Sequence, residues 1–223
     1  MRQLQAHPLP RGGAGLRSAS GDDRSGGARG AGGPAGGGPS EAAASPGPAA
    51  RLAAIRRRIA AACARARRDP ATVTLLGASK THPAAALAPF VAAGLAVLGE
   101  NRVQEAQAKR RELGEILPGA ALEWHLIGPL QTNKARLALE LFSCVHSLDR
   151  PQIAAALDRE AGRRGVRLGA FVEVNVGEEP SKHGFPPGGL AEALAPLAAL
   201  SNLRIVGLMA IPPFAAAAEA SRP

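Results

Sequence analysis

Val73-Thr74-Leu75-Leu76-Gly77-Ala78-Ser79-Lys80-Thr81-His82-Pro83 is the stretch on which the reading of this chain turns. Val73 to Ala78 is a short, largely apolar run, the pattern of a buried strand. It ends in Ser79-Lys80, and Pro83 then suits the first turn of a helix. Strand-and-helix folds place their chemistry at the C-terminal lips of strands. Lys80 is therefore either a lysine that merely closes a strand or a partly desolvated amine able to attack an aldehyde.

Working outward, the same cycle repeats. Before it, Leu52, Ile55, Ile59 and Ala62-Cys63 fall at helical spacing, with Arg56 to Arg58 on the other side and Asp69-Pro70 as a stop. After it comes a helix carrying Leu87, Phe90 and Val91, ended by Gly94. Further strands are expected at Leu95 to Leu98, Leu122 to Ile127, Cys144 to His146, Gly169 to Asn175 and Leu203 to Met209. Helices are expected between them, at Val103 to Leu113, Asn133 to Leu141, from Pro151 with Asp149 as cap to Arg164, and from Pro186-Pro187 to Leu200. Six strands alternating with helices argue for a parallel α/β sheet, either doubly wound or part of a (β/α)8 barrel. No glycine-rich dinucleotide fingerprint follows the first strand, which weakens the doubly wound reading.

Composition narrows the class. The 223 residues suffice for one ordinary domain, and 46% are hydrophobic, as in a globular chain. The net charge is +9, but the arginine runs lack interleaved aromatics for base stacking, so nucleic acid is not expected as a partner. No apolar run approaches the length of a membrane span. Cys63 and Cys144 lie far apart without a metal-binding spacing, and read as reduced thiols of a cytoplasmic protein. Residues 1–48 are rich in Gly, Pro, Ala and Arg without helical or strand period, and are expected to be disordered. The folded part is expected to be residues 49–223.

The strand exits carry Lys80, Asn101, His125, His146-Ser147, Asn175 and Met209. In a parallel sheet all exits lie on one face, so an amine, carboxamides and imidazoles would converge there. Each also has a plainer reading: Asn101 as a helix cap, His125 as a satisfied core histidine, His146 as a strand cap, Asn175 as part of a turn. Together they favour a nucleophilic lysine and no metal.

Six motifs then occur in order: Gly77 to Pro83, Gly99-Glu100-Asn101-Arg102-Val103-Gln104-Glu105, Trp124-His125-Leu126-Ile127-Gly128-Pro129-Leu130-Gln131-Thr132-Asn133-Lys134, His146-Ser147-Leu148-Asp149-Arg150, Val174-Asn175 to Ser181-Lys182-His183-Gly184, and Gly207-Leu208-Met209-Ala210-Ile211-Pro212. Over residues 50 to 213 the chain resembles the pyridoxal phosphate homeostasis proteins, a family related to the barrel domain of alanine racemase. The resemblance implies a single (β/α)8 barrel holding pyridoxal 5'-phosphate as a Schiff base on Lys80, with Lys134 as a secondary lysine; the strand-exit reading adds Asn101, His125, Asn175 and Met209 as the residues expected about the cofactor. It implies cofactor binding and buffering without catalysis, possible delivery to apoenzymes, and a monomeric state. The alternative is a racemase-like enzyme. In alanine racemases a tyrosine supplies the second base, and this chain has none.

In the family the chain continues beyond Ile211-Pro212 through two more strands, whose loops supply the phosphate site and an arginine near the pyridine nitrogen. Here about six of eight strands are expected, in an open sheet with a gap between the first and sixth. A marginal, aggregation-prone product with weak cofactor binding is the corresponding expectation, and a non-functional fragment is a further alternative.

Overall fold

Every strand of the sheet runs parallel to its neighbour, and the strands lie side by side in the order in which the chain makes them. The structure, a computed structural model, describes residues 46–179 and 182–212. The expected disordered tail lies outside these residues except for 46–48. Helix α1 (Pro48–Arg65) buries Leu52 and Cys63. It ends short of the expected stop at Asp69-Pro70, because Arg67 already takes a left-handed φ of 49°. The Asp69 carboxylate then accepts the Ala71 N–H at 2.9 Å and opens a 3-10 turn, Pro70–Thr72, so this proline starts a turn instead of stopping a helix.

Strand β1 (Leu76–Ala78) pairs with β2 (Val97–Glu100) through Leu76↔Val97 and Ala78↔Gly99. It is shorter than the Val73 to Ala78 run, since the ladder reaches no further back. β2 lies two residues later than expected, which moves Gly99 and Glu100 from a strand exit into the strand. Between them α2 (Ala84–Ala92) starts after Pro83, which is its cap and not part of its first turn. The chain turns out of it through Gly94 at φ 92°.

The later units follow the expected order: α3 (Val103–Ile116), β3 (Glu123–Leu126), α4 (Ala135–Leu141), β4 (Cys144–Leu148), α5 (Pro151–Arg164), β5 (Leu168–Glu173), α6 (Leu190–Ala198) and β6 (Leu203–Met209). Asp149 does not cap α5. Arg150 holds the cap position without a side-chain bond, and the Asp149 carboxylate pairs instead with the Arg150 guanidinium at 2.6 Å. Gly165, at φ 63°, closes α5 in the left-handed conformation.

Sequential order distinguishes a barrel-type sheet from a doubly wound one, in which the order reverses at a switch point. Residues facing the helices form the apolar core, among them Leu98, Trp124, Leu126, Val145, Ala170 and Val172 from the strands and Leu113, Ile153 and Leu157 from the helices. On the opposite sheet face Gly99, Glu123, His125, Cys144, His146 and Gly169 alternate with the core residues, beside the apolar Leu76, Val97 and Phe171. β2 is buried along its whole length, whereas the edge strands β1 and β6 are mostly half-buried, as one-sided pairing requires.

The exits of β2, β3 and β4 are tied together at Gly128. Its carbonyl accepts the Ser147 hydroxyl at 2.5 Å. A Cβ there would stand 2.6 Å from the Asn101 carbonyl oxygen and 2.7 Å from Asn101 Cα. Both are backbone atoms, so relief requires the chain itself to move. Gly128→Ala is expected to cost about 1–3 kcal/mol by overpacking, read as a lowered urea midpoint at unchanged slope.

Candidate functional site

Parallel register brings the six strand exits to one rim, and a cleft of about 420 Å³ opens there. Its walls include Lys80 after β1, Asn101 after β2, Ile127-Gly128-Pro129 after β3, His146 on β4, Glu173 to Asn175 at the end of β5, and Met209 and Ile211 at β6. Lys182 and His183 reach it from the loop after β5. Of the residues singled out from the sequence, Lys80, Asn101, His146, Asn175 and Met209 therefore share one cleft.

Lys80 is exposed, not partly desolvated as its strand-lip position had implied, because β1 is an edge strand. The backbone that carries it is rigidly held. Ser79 donates its N–H to the Gly99 carbonyl at 2.9 Å and its hydroxyl to Glu100 Oε1 at 2.6 Å. Thr81 follows at φ 68°, an uncommon conformation for a β-branched residue.

Asn175 has two roles at once. It lines the cleft, and its amide donates to the Glu179 carbonyl at 2.9 Å while its oxygen accepts the Glu179 N–H at 3.3 Å. The turn reading of Asn175 and the site reading are thus compatible. Gly184, at φ 114°, lets the loop return to β5: a Cβ there would lie 2.8 Å from the Asn175 nitrogen. Phe185 then bridges Val174. Asn101 lines the cleft without capping α3, where Arg102 occupies the cap position.

His125 and Lys134 are not among the cleft-lining residues. Lys134 ends the 3-10 turn Thr132–Lys134 on the approach to α4. His125 is buried beneath the cleft in a chain of polar contacts. Its Nδ1 lies 2.9 Å from His146 Nε2, and its Nε2 lies 3.1 Å from Glu123 Oε1, which also accepts the Ser143 hydroxyl at 2.7 Å. The His146 ring packs on Phe171 with centroids 4.6 Å apart.

Cys144 joins this group, contrary to its isolated look in the sequence: the ligand atoms of His125, Cys144 and His146 lie within 4.8 Å of one another. β3 and β4 are in register through His125↔Cys144, a pairing that linear spacing does not reveal. Both imidazoles are already partnered there. Both cysteines are free thiols, and burial, then the Glu123 charge, pushes the Cys144 thiol up to about 12.

Other carboxyls respond to their surroundings in opposite senses. Burial alone would raise Glu123, but the Ser143 hydroxyl and His125 outweigh it and hold the carboxyl below its ordinary value. Burial, then the Asp149 charge, holds Glu173 above it. Glu173, Lys182 and His183 were not singled out as site residues from the sequence. Lys182 and His183 lie beyond the strand end, in a loop that only folding returns to the rim.

Burial, reinforced by the charge of His125, depresses the His146 imidazole to about 4. The folded protein keeps this ring neutral, while the unfolded chain protonates it below about 6.5. The unfolded state therefore binds more protons between these values, and stability is full above pH 6.5 and declines as pH falls toward 4. Between pH 7 and 4.5 this costs on the order of 2 kcal/mol after allowance for solvent screening. Denaturant unfolding of native chain and His146→Gln across that range is expected to show a shallower acid decline in the variant; equal declines would assign the effect to other groups.

Comparison with known proteins agrees with the architecture. Residues 50–222 match the family described as alanine racemase, N-terminal domain. The pyridoxal phosphate homeostasis protein of Escherichia coli K12 is 44% identical over 161 residues, covering 72% of this chain and 68% of that protein. PipY of Synechococcus elongatus, solved without PLP, superposes with a TM-score of 0.66 at 42% identity, covering 78% of this chain and 74% of the other. The same protein with PLP bound gives a TM-score of 0.64 at 40% identity, over 78% and 75% of the two chains. With its sequential parallel sheet, its strand-exit cleft and these similarities, the chain belongs to the pyridoxal phosphate homeostasis protein family, built on the alanine racemase N-terminal fold.

Proposed function

We propose that this chain binds pyridoxal 5'-phosphate through Lys80 in the strand-exit cleft and serves intracellular homeostasis of that cofactor by holding and releasing it, without catalysis. The observation that carries this reading is the placement of the Lys80 amine on the wall of a cleft also lined by Asn101, Asn175, His146 and Met209, in a chain similar to a PipY structure that contains PLP.

The residues present fit the aldehyde and ring of the group, while the phosphate falls to the loops after strands seven and eight expected from the resemblance. The cleft volume suits a substituted pyridine, Asn101 and Asn175 offer hydrogen-bonding edges, and Ile127, Met209 and Ile211 offer apolar surface to a ring. When bound, the cofactor supplies an aldehyde carbon open to reversible attack by an amine. Lys80 would hold that carbon through its amine, with one water released on capture and taken up again on release. Exposure of Lys80 keeps both water and competing amines within reach, which suits release as well as capture.

The basic groups at the cleft other than Lys80 have protein partners. Lys182 pairs with Glu179 at 2.7 Å, His183 faces Asp149 at 3.5 Å, and His146 is bonded to His125. A racemase needs a second base opposite the lysine, and the tyrosine used on the related barrel has no counterpart in a chain without tyrosine. These features support binding over turnover. Among the described residues no helix is long and apolar enough to cross a membrane. Buried reduced thiols favour the cytoplasm, and PLP-dependent apoenzymes are the recipients this role requires.

The test is a titration with pyridoxal 5'-phosphate, followed by borohydride reduction and peptide mapping. The expected result is a visible imine absorbance, a reduced label on Lys80, and loss of both in Lys80→Ala. A label centred on Lys134 or another lysine, or an unchanged spectrum in Lys80→Ala, contradicts the assignment. An amino-acid racemase assay on the same protein is expected to give no turnover; measurable turnover lost in Lys80→Ala would favour the enzyme reading.

A further inference from the structure

The lysine most deeply involved in this site after Lys80 does not touch the cleft. Lys109 lies on α3, in the buried stripe Val103, Ala106, Lys109 and Leu113, and is only 8% exposed. A lysine in that setting must be paired. Its ammonium donates to Glu100 Oε1 and, at 2.8 Å, to the backbone carbonyl of Ser79. Glu100 is fully buried on β2, and its other oxygen, Oε2, has no hydrogen-bond partner. All the contacts of this carboxylate therefore run through the one oxygen shared by Lys109 and the Ser79 hydroxyl.

Ser79 is the residue on which these contacts meet. Its N–H is bound by the Gly99 carbonyl, its hydroxyl by Glu100, and its C=O by Lys109. The next residue is Lys80, and the one after it, Thr81, sits at φ 68°. Such a conformation persists when the surroundings over-determine it. The same turn closes with His82 N–H on the Ser79 carbonyl at 3.2 Å. The carbonyl that starts the strained turn is thus fixed from one side by Lys109 and from the other by the turn itself.

We propose that Lys109 and Glu100 form a buried strut that positions Lys80: they clamp Ser79 from the helix side of the sheet so that the following side chain projects into the cleft in a fixed orientation. The end of β1 at Ala78 makes this possible. Ser79, just past β1, meets Glu100 and, from α3, Lys109, while Lys80, in the turn that follows, lines the cleft. Lys109 and Glu100 are positioning residues, since neither lines the cleft. This inference rests on the reading of Lys80 as the attachment point of the cofactor.

A simple structural role is separable by removing one or both charges. Lys109→Met strands a buried carboxylate and is expected to lower the thermal midpoint by several degrees. Lys109→Met combined with Glu100→Gln removes both charges with similar volume and leaves the Ser79 hydroxyl an acceptor, so stability is expected to return toward native. The Ser79 carbonyl still lacks its ammonium. In the double variant, pyridoxal 5'-phosphate is therefore expected to bind about tenfold or more weakly, with slower growth of the imine absorbance and a shifted band. A double variant that regains native stability and binds the cofactor with native affinity and rate overturns the strut. A native chain that forms no imine at all overturns the Lys80 reading beneath it, a separate and distinguishable failure.

Discussion

A parallel strand cannot reach its neighbour by a tight turn; it must cross over, and a helix does the crossing. This constraint organises the whole molecule. Because each crossover returns the chain to the same end of the sheet, Lys80, Asn101, Asn175 and Met209, spread over 130 residues of sequence (80 to 209), arrive at one rim. It also separates two environments by strand alternation. One face packs Leu98, Leu126, Val145 and Val172 against helices, and the other carries Glu123, His125, Cys144 and His146 under the cleft.

The division of labour between the faces explains how an exposed amine is held in place. Lys80 gains nothing from burial of its own. Its orientation comes from Ser79, one residue earlier, where a buried ion pair and a strand neighbour grip the backbone. An exposed amine and a backbone gripped from the core thus meet within two adjacent residues, Ser79 and Lys80. The floor of the cleft is built differently: Glu123, His125 and His146 bond one another, and burial, then the charge of His125, keeps the cleft-facing His146 imidazole neutral.

Much of this was legible before folding was considered. The repeated strand-helix cycle, the lysine after the first strand and the exit residues follow from apolar runs punctuated by Pro and Gly, and β6 falls where Leu203 to Met209 predicts it. The resemblance then narrowed the architecture to a barrel, and the sequential strand order agrees. Other features depend on register, which linear spacing does not carry. β2 extends through Glu100 because β1 and β3 pair with it there, so Glu100 is a strand residue and not an exit residue. Lys109 was not singled out from the sequence; its place three residues after Ala106 and four before Leu113 puts it on the inward stripe of α3. His125 and His146 were both grouped with the exit residues, yet only His146 takes the wall of the cleft, with His125 bonded behind it. Asp149 carries the usual signature of a helix cap but serves Arg150 and His183, a preference set by tertiary charge.

The central claim is that the strand-exit rim is a cofactor cleft built around Lys80. Its most direct test is a crystal structure of the chain grown with pyridoxal 5'-phosphate. The account predicts continuous density from Lys80 Nζ into a ring lying between Asn101, Asn175 and Met209, above the His146 ring. Density joined to a different lysine, or an unoccupied rim with cofactor bound elsewhere on the chain, would contradict it.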